Sequence, residues 1–318
     1  MDISQLFIIG VPADGDVSSV REFQPGGVIL MGRNAAPMVE IRRLTRAFRK
    51  AVSNPPFLCI DHEGGRVQRL KEGFSIIPPA REVGDLGADA VSISAMNAAA
   101  ELRSAGLNFN FAPVCDVPVH AEDTVIGHRA FAENPIRAAS LIAEYIRGAQ
   151  PTVMCCAKHF PGHGGVGIDS HQGLPTFDGT LNELQSTHLP PFRAAIGAGV
   201  AAIMPGHIAV PVLDDTSTPA SLSRPIVTGL LREQMKFHGL IVTDDLEMGA
   251  LKNVGAGEIG VRAIEAGNDL LLFCHATDKA IQARDAIYQA MESGVLPRER
   301  VEASLERVRA SKAKYGII

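Results

Sequence analysis

The chain has 318 residues, 46% of them apolar, and a formal net charge of −5. This apolar content is enough for a large core, and the length fits one α/β barrel or two smaller domains. A mildly acidic chain without a long run of Lys and Arg gives no electrostatic reason to expect nucleic acid or an anionic membrane as a partner. No segment approaches the roughly 20 consecutive apolar residues of a membrane-spanning helix.

The cysteines and the amino terminus indicate where the protein works. The five cysteines are odd in number, match no zinc-ligand spacing and lie mostly in apolar runs. We therefore expect small buried thiols in a reducing compartment. The apolar run near the amino terminus is too short for a signal peptide and has no basic residues before it. The sequence predicts a cytoplasmic protein.

Short β-rich runs alternate with longer helical patterns along the chain. Most of the runs are continuously apolar, as is typical of parallel strands covered by helices. The predicted strands lie at residues 6–11, 26–31, 57–61, 108–114, 153–159, 201–207, 239–244 and 269–274. Helical patterns lie at residues 38–52, 88–104, 135–148, 181–196, 224–236 and 297–315.

This alternation predicts the α/β class and a single TIM-like (β/α)8 barrel, with residues 1–318 forming one catalytic domain. A doubly wound sheet is the alternative, but no G-x-G-x-x-G follows the first strand to support it. No linker, low-complexity segment or short repeat interrupts the pattern.

Ionisable residues end five consecutive predicted strands. They are Asp61, Asp116, the pair Lys158 and His159, His207, and Asp244. In a barrel these strand ends lie on one face, where active sites form. A single buried Asp or His is more often structural, but burying charge at five strand ends without function is costly. The set therefore predicts an active site on this face.

The stretch KHFPGHGGVGIDSH, residues 158–171, has the highest density of reactive side chains. His159 and His163 are four residues apart, as zinc-binding histidines on a helix are. Pro161 and Gly162 oppose a helix there, and the HExxH glutamate is absent. The residue order of a P-loop is missing as well. We expect no metal and no cofactor.

The glycines of this stretch instead favour a loop that carries Asp169 and His171. An aspartate two residues before a histidine can fix its tautomer and stabilise its charged form. An Asx-type turn with an exposed histidine is the alternative, and the residues alone leave it open.

Several motifs, in the same order along the chain, resemble one known family. They are DHEGGRVQRL (61–70), FAPVCDV (111–117), IGHRAF (126–131), KHFPGHG with DSH (158–171), MPGH (204–207) and TDDLEM (243–248). The chain resembles glycoside hydrolase family 3, and within it the bacterial β-N-acetylglucosaminidases. The family usually has DQEGG, RSF or RSY, and often SDDLSM; here His62, Ala130, Thr243 and Glu247 differ.

The resemblance implies a single TIM-like barrel that removes terminal β-linked N-acetylglucosamine with retention of configuration. The substrate is typically a cytoplasmic cell-wall fragment with anhydro-N-acetylmuramic acid next in line, and we expect a monomer acting on such a small muropeptide. The resemblance makes Asp244 the nucleophile and His171 the acid/base, assisted by Asp169. It implies sugar-binding roles for Asp61, Arg69, Arg129, Lys158 and His159.

A histidine acid/base suits a glycine-rich loop. The acid/base must change its protonation state during the reaction. A carboxyl group does so near neutral pH only if burial raises its pKa from about 4, whereas histidine titrates near 6.5 without burial. Asp244 is the first ionisable residue after the apolar run 239–242, so we expect its carboxylate to face the barrel mouth and Asp245 to point elsewhere.

The sequence alone leaves three other functions as alternatives. A phosphorylase is possible because an imidazole, unlike a carboxylate, does not repel an incoming phosphate. A β-glucosidase specificity would use the same barrel. A non-catalytic sugar-binding protein is the third, and Asp244, Asp169 and His171 argue against it. For the mechanism, Asp245 or Glu247 could replace Asp244, or the substrate's own acetamido group could attack.

Overall fold

The computed structural model of the chain describes residues 1–119, 125–166 and 173–318. Within them lie ten strands, and eight of these form one parallel sheet. The strands are β1 (Phe7–Gly10), β2 (Gly27–Leu30), β3 (Phe57–Ile60), β4 (His62–Gly64), β5 (Val67–Gln68), β6 (Phe109–Asn110), β7 (Met154–Phe160), β8 (Ala202–Pro205), β9 (Leu240–Ile241) and β10 (Leu271–Phe273). Strands β4 and β5 form a separate antiparallel hairpin.

The eight-stranded sheet closes into a barrel. Its order is β10-β1-β2-β3-β6-β7-β8-β9, so each strand lies next to its neighbours in the sequence. The two ends of this order meet through a parallel bridge between Val242 and Leu270. Beyond the bridge, the Leu246 amide donates to the Leu272 carbonyl at 2.9 Å. The predicted (β/α)8 barrel is confirmed, and each predicted strand run overlaps an observed strand.

Helices cover the outside of the barrel. The α-helices are α1 (Ser18–Phe23), α2 (Met38–Ala51), α3 (Ala80–Asp85), α4 (Ala88–Ser104), α5 (Pro135–Ala149), α6 (Leu181–Glu183), α7 (Leu189–Gly197), α8 (Ala256–Ala266), α9 (Thr277–Glu292) and α10 (Arg298–Lys314). The helix predicted at 181–196 is divided by a π-helical turn at Leu184–His188, and the one predicted at 224–236 is the π-helix Pro225–Gln234. The prolines explain the first of these irregularities. Pro190 and Pro191 have no N–H to donate to a carbonyl one turn earlier, so regular α-helical hydrogen bonding cannot continue from α6 into α7.

The core follows from the apolar patterns. In α2 the buried residues Ile41, Leu44, Phe48 and Ala51 recur every three or four positions, so they form one stripe against the barrel. The residues of the eight barrel strands are buried throughout. All five cysteines are buried as free thiols, as predicted. Every helix in the described part of the chain is too short or too polar to span a bilayer.

Candidate active site

A cavity of about 500 Å³ opens at the carboxyl ends of the barrel strands. Its lining includes six of the predicted site residues: Asp61, Arg69, Arg129, Lys158, His159 and Asp244. It also includes Glu63, Arg66 and His163, to which the sequence analysis assigned no role in sugar binding or catalysis, and Asp245 and Glu247, which it left open as alternative nucleophiles. The other two predicted site residues, Asp169 and His171, lie outside the described residues. The strand ends thus gather the predicted charges on one face.

Lys158 is the centre of a buried ion cluster on one wall of the cavity. Its Nζ lies 2.6 Å from Asp61 Oδ1 and 2.7 Å from Glu63 Oε1. Glu63 also accepts both arms of the Arg129 guanidinium, at 2.8 and 2.9 Å. A bidentate Arg–carboxylate contact fixes the relative orientation of the two side chains and also pairs their charges. The cluster therefore holds Asp61, Lys158 and Arg129 in place beside the cavity.

The cluster keeps its members ionised. Burial alone would raise the pKa of Glu63, but Arg129 and Lys158 hold it well below its usual value. Burial would lower the pKa of Lys158, but Asp61 and Glu63 raise it above its usual value. A buried charge is tolerated when its partners are this close and well aligned.

The β4–β5 hairpin explains how one short segment supplies so many of these groups. Asp61 precedes the hairpin, Glu63 lies in β4, and Arg69 follows β5. Gly64 has φ of +102°, and a Cβ there would come within 2.7 Å of the Pro78 carbonyl oxygen. Glycine is needed at this turn. The sequence analysis missed the hairpin and the role of Glu63, although the Glu-Gly-Gly of DHEGG is a turn signal before a short β-prone run.

Asp116 organises the two histidines of the KHFPGH segment. Its carboxylate accepts the backbone amides of His159 at 3.2 Å and His163 at 2.7 Å, and lies 2.7 Å from His159 Nδ1. Burial would raise the pKa of Asp116, but His159 and His163 bring it below its usual value. Because Nδ1 of His159 faces Asp116, its Nε2 is the nitrogen that remains for the cavity. The Lys158–His159 peptide bond is cis, and both side chains line the cavity.

Asp244 follows β9 and lines the cavity, as predicted. Its Oδ1 accepts the Asp245 amide at 2.8 Å. Burial would raise the pKa of the Asp244 carboxyl, but His159, His207, the Asp245 amide and Lys158 bring it below its usual value. The group is therefore an ionised carboxylate at neutral pH, as an attacking nucleophile must be.

The expectation that Asp245 points away from the cavity is wrong. Asp245 also lines it, because β9 ends at Ile241 and the alternation of a pleated strand no longer applies. The Oδ1 of Asp245 accepts the amides of Glu247 and Cys274, each at 3.2 Å. Burial raises the pKa of Asp245 to about 7. The two neighbouring carboxyls therefore differ in protonation and in partners.

His207 and Glu247 support this part of the site. His207 Nε2 donates to the Asp245 carbonyl at 2.8 Å, and its Nδ1 lies 2.7 Å from Ser221 Oγ. Glu247 accepts the amides of His275 at 2.6 Å and Ala276 at 3.1 Å, at the start of α9. These contacts join the loops after β9 and β10. His207 is thus a supporting residue, and Glu247 caps a helix where the family often has serine.

Two of the other three departures from the family motifs, His62 and Ala130, are buried packing residues. His62 is buried, with its ring centroid 6.1 Å from that of Phe74. Ala130 is buried with Val114 and Ile126 in a small apolar cluster. Neither residue lines the cavity. Within residues 1–119, 125–166 and 173–318, no group of three or more His, Cys, Asp or Glu could hold a metal ion.

Residues 1–310 match the sequence profile of the glycosyl hydrolase family 3 N-terminal domain. The chain belongs to glycosyl hydrolase family 3. It is 37% identical to a β-hexosaminidase of Stenotrophomonas maltophilia over 268 residues, which cover 81% of this chain and 79% of that protein. It is 39% identical to a β-hexosaminidase of Methylobacillus flagellatus over 284 residues, or 83% and 78% of the two chains.

Solved structures of the family have the same fold. A family 3 β-N-acetylglucosaminidase of Paenibacillus is 35% identical with a TM-score of 0.96, over 99% of this chain. The match spans 62% of the length of the Paenibacillus protein. A family 3 glycosyl hydrolase of Mycobacterium smegmatis is 34% identical with a TM-score of 0.89, over 98% of this chain and 96% of that one. The family-3 chain described here is therefore a glycoside hydrolase.

Proposed function

We propose that this family-3 chain is a retaining exo-β-N-acetylglucosaminidase that acts through a covalent glycosyl–Asp244 intermediate. The observation that carries the proposal is the ionised Asp244 carboxylate in a cavity that is also lined by a fixed cluster of charged hydrogen-bonding groups. The preference for the N-acetyl sugar follows from the relatives, which are called β-hexosaminidases and a β-N-acetylglucosaminidase.

The charged wall suits the hydroxyl groups of a sugar. Arg69 lines the cavity with about a third of its side chain exposed, so its guanidinium can donate to a bound ligand; its buried Nε has no hydrogen-bond partner in the described part of the chain. Asp61 lies 3.8 Å from Arg69 Nη2 and is still partly exposed. Together with Lys158, Arg129 and His159, these groups offer both donors and acceptors. We assign the five residues to binding of the terminal sugar.

In the first step Asp244 Oδ bonds to the anomeric carbon while the bond to the leaving oxygen breaks. We assign His171 as the group that gives that oxygen its proton, with Asp169 fixing the histidine, as the family resemblance implies. Water then attacks the anomeric carbon, gives its proton to His171 and releases Asp244 with the configuration retained. The carboxyl group of Asp245, with its raised pKa, is a poorer nucleophile at neutral pH than Asp244.

We further propose that residues 1–318 act as one catalytic barrel domain and as a monomer, on cytoplasmic muropeptides that carry N-acetylglucosamine on anhydro-N-acetylmuramic acid. Five buried free thiols fit a reducing compartment. The muropeptide assignment rests on the family resemblance.

The test compares leaving groups in the variants His171→Ala and Asp169→Asn. If His171 is the acid, the alanine variant should lose far more kcat/KM on an alkyl N-acetylglucosaminide than on the nitrophenyl one, because nitrophenolate leaves without a proton. Asp169→Asn should show a milder form of the same pattern. Equal losses on both substrates would remove His171 from the acid/base role.

The same assay separates the other activities. Nitrophenyl glucoside should be a poor substrate beside nitrophenyl N-acetylglucosaminide. Added phosphate should leave the rate and the free-sugar product unchanged. A sugar 1-phosphate product would identify a phosphorylase instead, and preference for the glucoside would overturn the N-acetyl assignment.

A further inference from the structure

Arg66 is the cation of the active-site cavity that the proposed chemistry does not use. Three other side chains with a permanent positive charge line the cavity: Arg69, Arg129 and Lys158. Each of them has a carboxylate within 4 Å. In the described part of the chain, no carboxylate pairs with Arg66. Among the described residues, its positive charge is therefore not neutralised by a carboxylate, as those of the other three are.

The backbone around Arg66 fixes its position. It follows the Gly64–Gly65 turn of the hairpin, and the Gly65 amide donates to the Ile77 carbonyl at 2.9 Å. A Cβ on Gly65 would lie 3.1 Å from Pro79, so the turn sits tightly on this segment. A side chain on a braced turn loses less freedom when it binds a ligand than one on a loose loop.

The guanidinium itself is anchored at one end. Arg66 Nη2 donates to the carbonyl of Val125, and Arg129 Nη1 donates to the same oxygen at 3.2 Å. Two guanidinium groups therefore lie side by side on the cavity wall. Glu63 neutralises Arg129 through both of its oxygens, whereas Arg66 keeps its charge and most of its N–H donors. Arg66 is exposed on the rim of the cavity, while Arg129 lies deeper.

We propose that Arg66 is a specificity residue that binds an anionic oxygen group, a carboxylate on the leaving portion of the substrate. The planar guanidinium has donors spaced for the two oxygens of a carboxylate. The inference rests on the proposed function, since it takes the sugar to bind deeper, at Lys158 and Arg69. It adds a charged contact outside the sugar itself.

The experiment uses pairs of aryl N-acetylglucosaminides that differ in one charge. The leaving groups are hydroxyphenyl propanoates and the matching propanamides, in ortho, meta and para forms. Two methylene groups separate the carboxylate from the ring, so acid and amide leave equally easily. The measured quantity is the ratio of kcat/KM for acid over amide in the full-length protein.

We expect the wild-type ratio to reach about 10 for at least one positional form and to fall as salt is added, because a rim contact is screened. Arg66→Gln, which keeps a polar side chain but removes the charge, should bring the ratio to about 1, and Arg66→Lys should keep part of it. Arg262→Gln is the control: it removes the same charge from an exposed ion pair with Glu258 and should leave the ratio unchanged.

A wild-type ratio near 1 for all three forms, or an unchanged ratio in Arg66→Gln, would overturn the proposal. A second set of assays, with added phosphate, tests whether Arg66 binds free phosphate instead of a carboxylate on the substrate. If phosphate speeds release of the aryl group in the wild type but not in Arg66→Gln, while the acid/amide ratio stays near 1, the site serves free phosphate and the proposal is wrong. Failure of the proposed function would be seen separately, as absent turnover of the neutral amides.

Discussion

Two clusters of buried charge lie at opposite ends of the barrel, and they are built differently. At the amino end, fully buried Asp269 accepts Arg232 at 2.7 Å and the Ile241 amide at 3.0 Å on one oxygen. Its other oxygen accepts Ser304 at 2.9 Å and Arg307 at 3.0 Å. Each oxygen of Asp269 therefore has two donors, and the carboxylate has little capacity left.

The cluster at the carboxyl end is incomplete by comparison. The Asp61 side chain keeps 17% of its surface exposed and that of Arg69 keeps 31%. Arg69 Nε has no partner in the described residues, and the groups face a cavity. Both clusters pair carboxylates with arginines. A saturated cluster holds α10 and the π-helix to the barrel, whereas a cluster with unused donors beside a cavity is suited to a ligand.

The comparison predicts the largest effect at the carboxyl-end cluster. Glu63→Gln leaves the buried charges of Lys158 and Arg129 with one carboxylate fewer. We expect a loss of about 3–5 kcal/mol in the free energy of unfolding. We also expect a roughly 100-fold loss of kcat/KM, because the sugar-binding groups are no longer held in register. Urea unfolding and steady-state kinetics measure the two losses; full activity in this variant would show that the cluster is only structural.

The amino-end cluster should lose stability without losing catalysis. Asp269→Asn weakens the contacts to Arg232 and Arg307, so we expect a similar loss of about 3–5 kcal/mol in the free energy of unfolding. The kcat of the folded fraction should stay within about 2-fold, as judged by titrating active sites. Glu133→Gln is the control, since its ion pair with Arg81 is exposed and its loss should leave the free energy of unfolding nearly unchanged. A large loss of kcat in Asp269→Asn would contradict the distinction between the two ends.

The smallest effect is expected at His62, and only at low pH. Burial lowers its pKa to about 4, against about 6.5 in the unfolded chain. The unfolded state therefore binds the proton more strongly, and the protein loses stability as the pH falls from 6.5 towards 4. At pH 5 this amounts to about 2 kcal/mol relative to pH 7.5. His62→Gln, which restores the usual family residue, should remove that loss.

Urea unfolding of both proteins at pH 5 and pH 7.5 measures the difference. The activity of His62→Gln at pH 7.5 should stay within about 2-fold of wild type, because the ring does not line the cavity. Equal pH dependence in the two proteins would mean that His62 is not buried in a neutral form.

The barrel could be predicted from the sequence because its strands are continuous apolar runs separated by helical patterns. The positions of Asp61, Lys158, His159 and Asp244 followed from the same rule, since each stands at a strand end. Arg69 and Arg129 came only from the family resemblance. No strand precedes Arg129 directly, and a single Arg in the sequence gives no sign of the carboxylate that will bind it.

The misses have physical causes as well. Glu63 and the hairpin that carries it are local features of very short strands, which periodicity cannot detect. Asp245 was placed by the alternation of strand residues, but the strand had already ended. Conversely, the prediction from ionisable strand ends included His207, but both ring nitrogens of His207 contact protein groups, Ser221 Oγ and the Asp245 carbonyl. A strand-end position alone therefore does not distinguish a supporting residue from one that faces the cavity.

The central claim is that Asp244, and neither of the two acidic residues that follow it, forms a bond to the sugar. The most direct test is to trap the enzyme with a 5-fluoro glycosyl fluoride of N-acetylglucosamine, digest it, and locate the label by mass spectrometry. We predict one label per chain, on Asp244. A label on Asp245 or Glu247, or no label together with strong inhibition by a thiazoline mimic of the acetamido intermediate, would contradict this mechanism.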